Sequence, residues 1–149
     1  MSNWRQIIPA TGLLATMAVA AYMVTELSGQ ETATGNFTSA ATAEVRDGQR
    51  QVVLRGQFGP GDEDDDDAER KAVLEPTGID ADAAGEAEVE FAKTGATEQE
   101  IEFSIRNVAA NTSFTFVIDG VDVATATSDR RGRAEVELEI PMPVAGGAR

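Results

Sequence analysis

Between Ala134 and Ile140 the chain reads AEVELEI, so that Ala134, Val136, Leu138 and Ile140 alternate with Glu135, Glu137 and Glu139. A helix would scatter such a pattern around its axis. A strand sends successive side chains to opposite faces, so this one has an apolar side for a core and an acidic side for water. The pattern recurs in Ala87, Val89 and Phe91 against Glu88 and Glu90, and in Ile101, Phe103 and Ile105 against Glu100, Glu102 and Ser104. Phe114, Phe116 and Ile118 carry it into Asp119-Gly120, a dipeptide suited to the positive φ angles of a tight hairpin, and Val121 to Thr127 is expected to return antiparallel. Ser128 to Gly132 then turns the chain once more.

Gln51 to Phe58, Lys71 to Leu74 and a short piece from Ala43 to Arg46 read as further strands, giving six to eight in all. Short strands at regular spacing with no helical stretch between them point to an antiparallel all-β sandwich or barrel filled mainly by Val, Ile, Leu and Phe. Ala-Glu-Val occurs three times, from Ala43, Ala87 and Ala134. The spacings of 44 and 47 residues, with little else shared, read as composition rather than duplication.

The N-terminal part has a different character. Gln6 to Thr25 is a run of 20 uncharged residues, and a helix of that length crosses ~30 Å of bilayer hydrocarbon. Trp4 and Tyr22, the only tryptophan and tyrosine, bracket it roughly 27 Å apart on a helix, where interfacial aromatic belts sit. Arg5 precedes the run and Glu26 ends it, which places the N-terminus in the cytoplasm and all that follows Leu27 outside it. The layout expected is therefore a transmembrane signal anchor over residues 1–27, with Trp4, Arg5 and Tyr22 at the membrane interface. The alternative is a cleaved signal peptide, for which Ala18-Val19-Ala20 and Ala41-Thr42-Ala43 offer small-x-small sites on either side of the proper distance. Residues 28–43, rich in Gly, Ser, Thr and Ala, read as a flexible linker averaging ~22 Å end to end, and residues 44–149 as the β domain.

With 149 residues there is room for one modest domain, and with neither cysteine nor histidine there are no disulfides, thiolate or imidazole metal sites, or His-dependent triads. Asp and Glu number 26 against 12 Lys and Arg, a net charge of -14 that survives removal of the first 27 residues and argues against nucleic acid as a partner. The densest charge is Asp62 to Asp67 with Glu69 behind it, in a loop expected over residues 59–70. Such a run is ordinarily a solvated loop. Calcium, which takes six to eight oxygens in irregular geometry, is the alternative ligand there, with Asp62, Asp64, Asp65, Asp66 and Asp67 as candidate ligands and no other cofactor expected. The stretch from Asp80 begins like an EF-hand but has Ala84 at a ligand position and Phe91 where the closing glutamate belongs.

The outward glutamates raise a sharper question. If their strands share a sheet, like charges stand opposite one another at a cost of a few tenths to ~1 kcal/mol per pair. The fold can separate those strands, interpose arginines such as Arg46, Arg55 and Arg106, leave the face to solvent, or turn it to a cation or basic partner. An acidic surface with only Lys71 and Lys93 as lysines also suits high salt. No aspartic-protease triplet, phosphate loop, Gly-x-Ser-x-Gly or His-Glu-x-x-His occurs, and no catalytic residue is assigned.

Ala81 to Phe91 (ADAAGEAEVEF), Ile101 to Val108 (IEFSIRNV), Phe114 to Gly120 (FTFVIDG) and Asp129 to Leu138 (DRRGRAEVEL) resemble the body of secreted bacterial β-domains of the immunoglobulin-like and chordin types. The resemblance spans Leu74 to Ile140, under half the chain. Chordin-type domains carry histidines in the later strands, and this sequence has none. What the resemblance implies is an extracytoplasmic immunoglobulin-like β-sandwich used for structure or binding. The expected function is a non-catalytic single-pass accessory or scaffold subunit of the inner membrane whose periplasmic or extracellular domain binds other subunits of a membrane assembly, with the bilayer contacted through residues 6–25. The alternative is a secreted surface or adhesion module, its signal peptide removed, binding calcium through the acidic loop.

Overall fold

The computed structural model describes residues 33–61 and 66–143. Eight strands occupy more than half of them: β1 (Thr42–Arg46), β2 (Val52–Gln57), β3 (Asp67–Pro76), β4 (Ala84–Ala92), β5 (Glu98–Arg106), β6 (Ser113–Ile118), β7 (Val121–Thr127) and β8 (Ala134–Pro141). Every pairing is antiparallel, and the strands form one sheet in the order β7-β6-β1-β2-β3-β4-β5-β8. The first five strands are consecutive neighbours. The chain then crosses from β5 to lay β6 beside β1, returns as β7, and crosses again to lay β8 beside β5. The sheet curls until its edge strands, β7 and β8, come near each other at the turn that joins them.

Closure follows from the alternation read in the sequence. Val45, Leu54, Leu74, Val89, Ile101, Phe103, Ile105, Phe116, Ile118 and Ile140 all point inward and are almost wholly buried. Phe103 and Phe116 come from strands that are not neighbours, and their rings meet across the interior with centroids 5.0 Å apart and planes tilted by 53°, within the favourable range for aromatic pairs. The three Ala-Glu-Val triplets each place Ala and Val inside, with Glu between them on the other face.

The sequence suggested a sandwich or a barrel; a seam between β2 and β3 makes the sheet single. These strands pair directly only at Leu54 with Pro76 and Arg55 with Glu75, followed by an isolated bridge from Phe58 to Ala72. Thr77 reinforces one end, its amide donating to the Val53 carbonyl at 3.1 Å and its hydroxyl to the Val52 carbonyl. Gly56 permits the approach: a Cβ there would lie 2.2 Å from the Val73 carbonyl oxygen.

One difference from expectation concerns residues 33–43, the described part of the segment read as a flexible linker. Phe37 and Ala40 are 4% and 1% exposed and belong to the core. The Gln99 side chain, itself 1% exposed, accepts a hydrogen bond from the Phe37 amide at 2.8 Å and donates to the Gly35 carbonyl at 2.5 Å. Arg70 donates to the carbonyls of Thr38 and Gly59, and Asp119 in the β6–β7 turn accepts from the amides of Ala41 and Thr42. A segment that contributes one phenylalanine and has its backbone polar groups matched by the side chains of Gln99, Arg70 and Asp119 has reason to pack. The strap closes the end of the sheet where β3 and β5 begin. The sequence placed the start of the domain at residue 44, inside β1, whereas packed chain is present from the strap onward.

Candidate functional site: an acidic sheet face

β4, β5 and β8 lie side by side, and their register aligns the outward glutamates in rows. Glu88 opposes Glu102, which opposes Glu137; Glu90 opposes Glu100, which opposes Glu139; and Glu86 opposes Ser104, which opposes Glu135. β3 extends the rows by placing Glu69 opposite Glu90 and Lys71 opposite Glu88. The strands that could have been kept apart are thus adjacent. Nor do the arginines intervene. Arg46 and Arg55 are on the other half of the sheet, holding Glu44 between them at 2.7 and 2.9 Å, and Arg106 ends β5 opposite Ala84. Within the rows the one cation is Lys71, which reaches Glu69 and, at 3.4 Å, Glu88.

The electrostatic consequence is visible in two carboxyls. Partial burial, followed by the charges of Glu88, Glu137, Glu135 and Glu100, holds Glu102 above the ordinary carboxyl range. Burial and then Glu137, Glu90 and Glu88 do the same to Glu100. Glu44 goes the other way. Burial alone would raise it, but hydrogen bonds and charge from Arg46 and Arg55 outweigh that and lower it.

At the strap end the face runs into a shallow cavity of about 210 Å³. Asp67, Glu90, Glu98, Glu100 and Glu139 line it together with Phe91, whose ring is only partly buried. Five carboxylates around an aromatic surface suit an ammonium or guanidinium group whose aliphatic stem lies along the ring. A second depression, over the β2–β3 seam, mixes Arg55 and Glu75 with Val73 and has no comparable concentration of one charge.

The other candidate residues are distributed as follows. Asp62, Asp64 and Asp65, and the interface residues Trp4, Arg5 and Tyr22, lie outside the described residues, as does the apolar run over 6–25. Asp66 accepts a hydrogen bond from the Lys93 amide through its carbonyl, and Asp67 opens β3 at the rim of the cavity. Among the described residues no group of three or more acidic side chains is arranged to hold a metal ion, and no helix is long and apolar enough to cross a membrane.

Sequence reasoning missed Gln99 and Phe91 as a pair that divides the work at this end, one fastening the strap and the other flooring the cavity. The signal was present for Gln99. It occupies the inward parity of Ile101, Phe103 and Ile105, where a polar side chain needs a buried partner. No known family, curated protein or solved structure was found to match the chain.

Proposed function

We propose that this chain is a non-catalytic binding module, the accessory or scaffold component of a membrane assembly, and that the face formed by β3, β4, β5 and β8 takes a basic protein partner. The observation that carries the reading is the alignment of Glu69, Glu86, Glu88, Glu90, Glu100, Glu102, Glu135, Glu137 and Glu139 on adjacent strands with Lys71 as the cation among them. A partner bearing Lys or Arg relieves repulsion that the fold itself leaves in place, and complementary charge also speeds encounter. The cavity beside Phe91 supplies an anchoring point for one basic side chain. Two finer parts rest on sequence alone: the anchor over residues 1–27, which sets the β domain outside the cytoplasm, and the immunoglobulin-like character of that domain.

The test is extraction in mild detergent, followed by measurement of intact mass and stoichiometry. The expected result is a complex of defined composition, with Met1 or Ser2 still at the N-terminus of this chain, from which an E88Q/E102Q/E137Q variant is lost although it folds. A monomer of full length refutes the partner. A shortened N-terminus favours the secreted module instead.

A further inference from the structure

β8 is paired along one side only. Its residues from Ala134 to Pro141 match β5 from Ile105 to Glu98 without interruption, while among the described residues no backbone pairing joins its other side to β7 or to any other segment. The row of amides and carbonyls left on that side is a template for another strand. The side chains say which strand. On the outer face the edge presents Glu135, Glu137 and Glu139; on the inner face Leu138 is only half buried, although Val136 and Ile140 on either side are 3% and 0% exposed. The apolar lining is thus incomplete at the middle of the open edge.

We infer that β8 is a docking edge for an extended segment in which basic residues alternate with apolar ones. Paired in register, such a segment sets each Lys or Arg beside a glutamate of β8 and lays an apolar side chain over Leu138, and its backbone satisfies the open amides and carbonyls. A second copy of β8 is disfavoured, because pairing that keeps the faces aligned brings glutamates against glutamates and adds to the repulsion already present between β8 and β5. The edge therefore selects against its own kind while accepting the opposite charge. The inference rests on the proposed binding role of the acidic face and adds the mode of binding.

The full-length chain in detergent is titrated with two nine-residue peptides of identical composition, one alternating Lys and Val and one with its lysines grouped, while hydrogen exchange is followed along β8. The alternating peptide is expected to bind at least tenfold more tightly and to slow exchange at the β8 amides that point away from β5, the others being held by β5 already. An E135K/E137K/E139K variant should reverse the preference toward an alternating Glu-Val peptide, which general loss of structure does not produce. Equal affinity of the two Lys-Val peptides, weakened alike by salt, overturns the docking edge and leaves the acidic face as a binding surface. Failure of both to bind removes both readings. Slow exchange, before any peptide is added, at the β8 amides that point away from β5 shows the edge already filled by the chain itself and also overturns the inference.

Discussion

Glu102 stands opposite Glu88 on one side and Glu137 on the other, and its raised carboxyl value converts directly into a pH dependence. A carboxyl whose folded value lies above its unfolded one takes up a proton more readily in the folded state. Its contribution therefore worsens as pH rises through the carboxyl range, and the loss is complete at neutral pH. Glu102→Gln removes the charge and is expected to stabilise the protein at pH 7 by about 0.5 to 1 kcal/mol, the scale of a cross-strand like-charge pair. Near pH 4 the advantage should shrink toward zero, because the native carboxyl is then largely neutral. Melting curves of both proteins at the two pH values check this, and a gain that is the same at both assigns the effect to packing rather than charge. Glu44, lowered by Arg46 and Arg55, has the opposite sign: the stability it confers is present at neutral pH and lost on acidification. Two residues that look alike in the sequence, each a glutamate between apolar neighbours on a strand, are thus set apart by which strands lie beside them.

At the level of elements, the hairpins and strand positions were legible because alternation fixes which side chains point inward and turn chemistry fixes where the chain reverses. Val121–Thr127 matches the structure end to end, and Asp119 and Gly120 adopt φ of 47° and 81° in the expected tight turn. β3 was only half legible, with Lys71 to Leu74 expected against an observed Asp67–Pro76, since its first residues belong to the acidic run and mask the period. Strand order was not legible, because a period of two names a face and not a neighbour. The two crossings that place β6 beside β1 and β8 beside β5 are what bring the glutamate strands together. The strap was hidden for a different reason: Phe37 is the single aromatic in a stretch of small and polar residues, and its partner Gln99 lies 62 positions away. The join between β2 and β3 depends on Gly56. Alanine there must push its Cβ away from the Val73 carbonyl, so Gly56→Ala is expected to cost about 1 to 3 kcal/mol, as overpacking does, and to speed hydrogen exchange first in β2 and β3. A variant as stable as the parent, with unchanged exchange there, shows that the two halves of the sheet hold together without that contact.

Taken whole, the molecule divides its charge unevenly around the sheet. The half built from β7, β6, β1 and β2 pairs its arginines, Arg46 and Arg55 with Glu44 and Arg50 with Asp122, while the other half carries the glutamate rows with Lys71 as their one cation. Added salt should act on these halves in opposite ways, weakening exposed ion pairs in the first and relieving repulsion in the second. Exposed pairs contribute little each, so the second effect should win and the melting temperature should rise with NaCl. Facing side chains across a strand pair stand ~5 Å apart, and the screening length falls from ~30 Å at 10 mM to ~3 Å at 1 M, so most of the rise belongs at the upper end of that range. Relief of ~1 kcal/mol corresponds to roughly 4–8 °C for a domain near this size. The decisive comparison is with the E88Q/E102Q/E137Q variant, which lacks the central row and should begin with a higher melting temperature and respond less steeply. Identical slopes place the repulsion elsewhere, in the acidic run between β2 and β3 or spread over the whole surface. In that case the face has no particular strain for a basic partner to relieve, and the proposed binding role loses its physical basis.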